Sequence, residues 1–107
     1  KMIHELKTDT EVFTHVYNGL KDFEIRKNDR NFQESDTLIL RETKHSGRSM
    51  QEPEGLSIGE KKPLIYTGRE IECEVNYILH GPIYGLMDGW VIMGIEVMKH
   101  SSTPINR

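Results

Sequence analysis

The sequence predicts an α+β domain, a small and partly closed mixed β-barrel with one N-terminal helix packed on it. From Arg69 to His80 the chain alternates, with Ile71, Cys73, Val75, Tyr77 and Leu79 in one row and Glu70, Glu72, Glu74 and Asn76 in the other. Such a period of two belongs to a strand buried on one side only, as in an antiparallel sheet or a barrel. Helical periodicity occurs once and early, in Val12, Phe13, Val16 and Tyr17. A length of 107 residues is enough for one modest core and too short for two domains.

The elements follow in order. Met2 to Lys7 reads as a first strand, and Thr8 with Glu11 fits a capping box that starts the helix. Gly19 supplies the left-handed conformation that ends it. Asp22 to Lys27 is a short strand with Phe23 and Ile25 on one side, expected in the core, and Asp22, Glu24 and Arg26 on a polar face. Asp36 to Thr43 is another strand, with Leu38 and Leu40 opposite Thr37, Ile39 and Arg41. Trp90 to Met98 closes the set, apolar on both sides through Val91, Ile92, Met93, Ile95 and Val97, and so belongs inside the sheet.

Two connections are unusual. Residues 44 to 63 are rich in Gly, Ser, Glu, Lys and Pro, and a loop beyond roughly 12–15 residues is commonly functional or disordered. Disorder is expected there. Gly81 to Gly89 carries three glycines, Pro82 and Tyr84 without the strand–glycine–helix context of a phosphate loop, and reads as a flexible rim able to fold over a ligand. The tail over residues 100 to 107 is polar and expected to be loose.

Composition excludes several functions. No apolar run approaches the roughly 20 residues that span a bilayer, and the N-terminus lacks a signal-peptide pattern, so a cytoplasmic location is expected. The net charge of −3 argues against coating duplex nucleic acid, leaving small, single-stranded or nucleotide-sized contacts. Cys73 is the single cysteine, inward on a strand between Glu72 and Glu74, a setting that opposes thiolate chemistry. His4, His15, His45, His80 and His100 are dispersed with no zinc-type spacing, so neither a metal nor a cofactor is expected. His4 and His80 fall on different strands that could bring them together.

The stretch from Gly19 to Arg30 concentrates the chemistry. Glu24 and Arg26 share the polar face of the short strand, Lys21 sits at its mouth, and Lys27 and Arg30 continue from its far end. Glu24 offers acceptors for the donor edge of a base, and the cations offer partners for phosphate. Arg26 alternatively pairs with Glu24 and holds it in place. Arg41, Lys44 and Arg48 form a second basic group. Tyr66, Tyr84 and Trp90 are candidates to stack on an unpaired base, with core or rim packing as their ordinary role.

The phrase Gly-x-Lys-x-x-Glu-x-Arg after a short helix resembles the signature stretch of the ASCH superfamily, relatives of the PUA domains. His4-Glu5-Leu6-Lys7, the run from Phe23 through Gln33 to Asp36, Tyr66 to Glu70, and Tyr77 to Gly81 with Tyr84 to Leu86 resemble a bacterial and phage branch of unassigned function. The resemblance implies a PUA-like fold. In ASCH relatives that are enzymes, the matching strand supplies a lysine, and a threonine three residues later, for hydrolysis of an acylated pyrimidine nucleoside. Lys21 matches the lysine, whereas Glu24 stands at the threonine position and would have to act as a general base on water.

Three functions therefore stand side by side. The first is binding of RNA or a nucleotide by Lys21, Glu24, Arg26, Lys27, Arg30 and Tyr84. In the second, a modified nucleoside is hydrolysed with Lys21 and Glu24 as catalytic groups. A third is an accessory role in bacteria or phage through contact with another protein, for which the 44–63 loop is the candidate surface.

Overall fold

In the computed structural model, which describes residues 1–51 and 61–107, five strands form one mixed sheet curled into a half-barrel. They are β1 (Ile3–Asp9), β2 (Phe23–Lys27), β3 (Thr37–Thr43), β4 (Tyr66–His80) and β5 (Trp90–Ser101), in the spatial order β1-β3-β4-β5-β2. β1 runs parallel to β3, and every other pair is antiparallel. The expected fold class is the one observed.

The helix α1 (Thr10–Tyr17) buries Phe13 and Val16 against the concave side, while Val12 and Tyr17 sit at its edge. It starts one residue later than the capping-box reading. Thr8 stays in β1, paired with Glu42, and its hydroxyl donates to the Leu6 carbonyl. Asp9 takes the cap position without a side-chain cap bond and instead accepts from the Gly47 amide at 2.8 Å. Gly47 opens α2 (Gly47–Met50), one turn capped by Ser46, inside the segment read as a loop. The centre of that loop lies outside the described residues, and so does the expectation of disorder there.

β3 and β4 carry the core. Leu38, Leu40, Ile71, Cys73, Val75 and Phe32 are essentially inaccessible and pack with Val91 and Met93 of β5. Large-to-small changes at such positions typically cost ~2–5 kcal/mol. The predicted inward row of β4 holds through Val75 and then breaks. A bulge between Val75 and Tyr77 shifts the phase, so Tyr77 turns outward at 58% exposure and Ile78 packs on the core. An extra residue in one strand of a pair exchanges the faces beyond it, and alternation alone does not reveal it. Gly94 faces the bulge, where an added Cβ would lie 2.5 Å from Asn76 Oδ1.

Arginine–carboxylate pairs fasten the periphery. Glu42 accepts from Thr67 at 2.7 Å and from Arg69 at 3.0 and 3.1 Å, and the Arg69 guanidinium lies over the rings of Phe13 and Tyr17, tying α1 to β4. The Arg69 bond holds Glu42 below the usual carboxylate range against the opposing effect of burial. Glu70, 1% exposed, is bonded by Arg41, by Arg107 and by the Ile105 amide. Burial would raise its carboxyl, and these bonds outweigh that and lower it. The tail is thus docked, with Ile105 only 5% exposed, where a loose end was expected. Among the described residues no helix is long and apolar enough to cross a membrane.

Candidate functional site

β1 and β2 are the two edges of the sheet, and its curl brings them face to face without a backbone ladder between them. Side chains bridge the gap instead. Arg26 donates to the Lys7 carbonyl at 3.1 Å and to Thr8 Oγ1 at 3.3 Å, and Arg30 donates to the Glu5 carbonyl at 2.6 Å. The seam opens into a cleft of about 510 Å³ bounded by Leu6–Asp9 on one side and Lys21, Glu24–Lys27 and Arg30 on the other, with Trp90 and Phe32 also lining it.

The site strand faces the other way from the sequence reading. Glu24 points inward at 3% exposure, while Phe23 and Ile25, taken as core anchors, are 42% and 49% exposed on the outer side. The physical reason is pairing. Lys21 Nζ reaches Glu24 Oε2 at 2.6 Å, and Arg26 Nε and Nη2 reach Oε1 at 3.0 and 2.9 Å, so the buried charge is satisfied. Hydrophobicity assigns faces only where no such clamp exists. The chain arrives at this strand through the turn at Gly19, which has φ +76° and lies just beyond the Asn18 cap of α1.

Five of the six expected binding residues meet in this cleft: Lys21, Glu24, Arg26, Lys27 and Arg30. Five cations (these four and Lys7) face three carboxylates (Asp9, Glu24 and Asp29), a local excess of positive charge on an acidic chain. Tyr84 is elsewhere. It stands 96% exposed at the tip of the 81–89 turn, above an apolar hollow formed with Ile25, Leu79, Ile83, Met87 and Trp90. That turn is hydrogen-bonded between Ile83 and Leu86 in both directions, and the Asn28 amide donates to Gly89. Trp90 is half-buried and walls both the cleft and the hollow.

Arg41 and His4 have structural partners. Arg41 lies 3.6 Å over the Tyr66 ring. His4 is buried against Phe32 and bonds Asp36 at 2.9 Å. Burial would raise the Asp36 carboxyl, but the bonds from His4 and from the Gln33 and Met2 amides bring it below its ordinary value. His80 and Asp36 both line a separate surface hollow. Burial, and next the charge of Glu24, push the Cys73 thiol up to about 12. The flanking Glu72 and Glu74 were expected to do this, but they are not the main cause. Among the described residues no cluster of metal-ligand type forms.

Sequence reasoning missed Lys7, Thr8 and Asp9 as cleft residues. Lys7 ends a family-like phrase and Thr8 reads as a helix cap, neither of which points to a cleft, and only the meeting of the two sheet edges places them opposite Arg26.

Comparison with known proteins gives two findings. The family model of a domain of unknown function, DUF3850, matches residues 3–95. An uncharacterized 12.9 kDa protein in the GpA 3' region of Escherichia phage P2 is 33% identical over 74 residues, covering 69% of this chain. The aligned region spans about half (51%) of that phage relative's length.

Proposed function

We propose that this chain, which belongs to the DUF3850 family, binds RNA or a nucleotide in the seam between β1 and β2. The observation that carries the reading is the surplus of cations around a carboxylate whose oxygens are already engaged. Lys21 and Arg26 hold Glu24, which leaves Lys27, Arg30 and Lys7 as the charge offered to an anion. Phosphate is the anion such clusters neutralise in nucleic acids. The resemblance of Gly19 to Arg26 to the ASCH signature supports the same reading.

Hydrolysis of a modified nucleoside ranks below binding. A general base has to reach the proton it removes. Glu24 is 3% exposed with both oxygens turned to cations, and to act as a base it would first have to release one of them.

Amide chemical-shift titration with uridine monophosphate, short single-stranded RNA and acylated nucleosides tests the reading. Shifts clustered on Lys21 to Arg30 are expected, with no change in the ligand spectrum. The double substitution of Lys27→Ala and Arg30→Ala, which removes two of the cations offered to the anion and leaves the Glu24 clamp in place, should weaken binding at least tenfold. Unaltered affinity in that variant would remove the seam as the site, and turnover of an acylated nucleoside would restore the hydrolase.

A further inference from the structure

The seam is the middle of a longer groove. At one end it shares Lys7, Asp9 and Arg26 with a second hollow of about 660 Å³, whose far wall carries Lys61 and Lys62. Both lysines are exposed, and the Lys62 backbone is fixed by its amide donating to the Ser49 carbonyl at 2.9 Å. At the other end it shares Ile25 and Trp90 with the apolar hollow under Tyr84. Tyr84 has φ +46°, a conformation sparsely populated for a bulky residue, and its ring stands almost wholly in solvent. Cations therefore follow one another from Arg30 past Arg26 to Lys62, and two aromatic rings stand where the cationic track stops.

A mononucleotide would use one compartment of such a groove. A single strand uses all three, because its phosphates repeat along the cations and its bases need flat apolar surfaces once unpaired. Building on the binding reading above, we infer that the ligand is a single-stranded nucleic acid polymer. Its backbone runs from the β2 cleft to Lys61 and Lys62, and one unpaired base packs between Tyr84 and Trp90. The apolar hollow is thereby assigned a base of the same strand, on the ground that it shares walls with the cationic cleft.

Fluorescence anisotropy with labelled decauridylate, and titration with uridine monophosphate, test this in the full chain. The decamer is expected to bind at least tenfold more tightly than the monophosphate. Reversing two exposed charges, Lys61→Glu with Lys62→Glu, should weaken the decamer at least tenfold and flatten its salt dependence by roughly 0.7 in log–log slope per lost phosphate contact. Tyr84→Ala should weaken the decamer at least fivefold, given stacking of ~1–3 kcal/mol per base. Neither change should move the monophosphate. Decathymidylate in parallel identifies the sugar: equal binding makes this a general single-strand groove, and a tenfold preference for the uridylate makes it specific for RNA, both in favour of the inference. Equal affinity for decamer and monophosphate, or a decamer indifferent to both sets of changes, would overturn the inference while leaving the seam as a nucleotide site. Failure of every probe to bind would overturn both.

Discussion

Glu24 and Glu70 are two buried carboxylates with nearly the same immediate surroundings and different settings. Each is under 4% exposed and is held by two cations, Lys21 and Arg26 in one case and Arg41 and Arg107 in the other. Around Glu70 the account is closed. Glu5 binds the outer side of both arginines, and the Ile105 amide takes a further lone pair. Around Glu24 the pair opens onto a cleft in which cations outnumber carboxylates. A clamped carboxylate is thus no sign of function by itself. What separates the seam from the tail anchor is unspent charge beside accessible volume.

The sharpest way to break the comparison is to remove each carboxylate. Glu70→Ala leaves two arginines with only the outer carboxylate of Glu5 between them and frees the tail, for an expected loss of roughly 3–5 kcal/mol and a fall in Tm of roughly 10–25 °C. Glu24→Ala should cost about 1 kcal/mol less, lacking the backbone bond to Ile105 and having a cleft into which its cations can turn. Thermal melts of the two variants decide it, and a larger fall for Glu24→Ala would reverse the roles assigned here.

Acid comes next. Asp36, Glu42 and Glu70 titrate lower in the fold than in the unfolded chain, so each adds stability that is fully present above its unfolded pKa and is lost as pH falls through the folded value. Melting temperature should be level from pH 7 to about 5 and drop steeply below about 4. A level Tm down to pH 3 would show that these clamps contribute nothing.

The smallest effect is expected on the outer face of the site strand. Ile25→Ala should cost less than about 1 kcal/mol, against the ~2–5 kcal/mol of a core position. A core-sized loss by chemical denaturation would return Ile25 to the interior.

Most of the fold is legible in the residues, because alternation from Ile71 to Val75 and the periodicity of Phe13 and Val16 record one-sided burial directly. Legibility fails where burial is not apolar. The face of β2 is inverted because charge pairing buries Glu24 more thoroughly than its apolar neighbours. It fails again at Tyr77, where an unpaired residue changes the phase, and at Ile105, a lone apolar residue in a polar tail docked by an arginine two positions on. Of the site, the β2 cations are visible as a cluster. Lys7 to Asp9 and Lys61 to Lys62 are not, since nothing local records which edges a curled sheet brings together.

The bridging of the seam has a second side. An unpaired strand edge presents carbonyls and amides on which another chain can build, which is how folded sheets begin to aggregate. Two such carbonyls on β1, those of Glu5 and Lys7, are occupied by Arg30 and Arg26. The arginines that line the seam therefore also guard solubility. Mutational drift that discards the cations also uncovers an adhesive edge, so a chain that had lost its ligand would still be under pressure to keep both arginines.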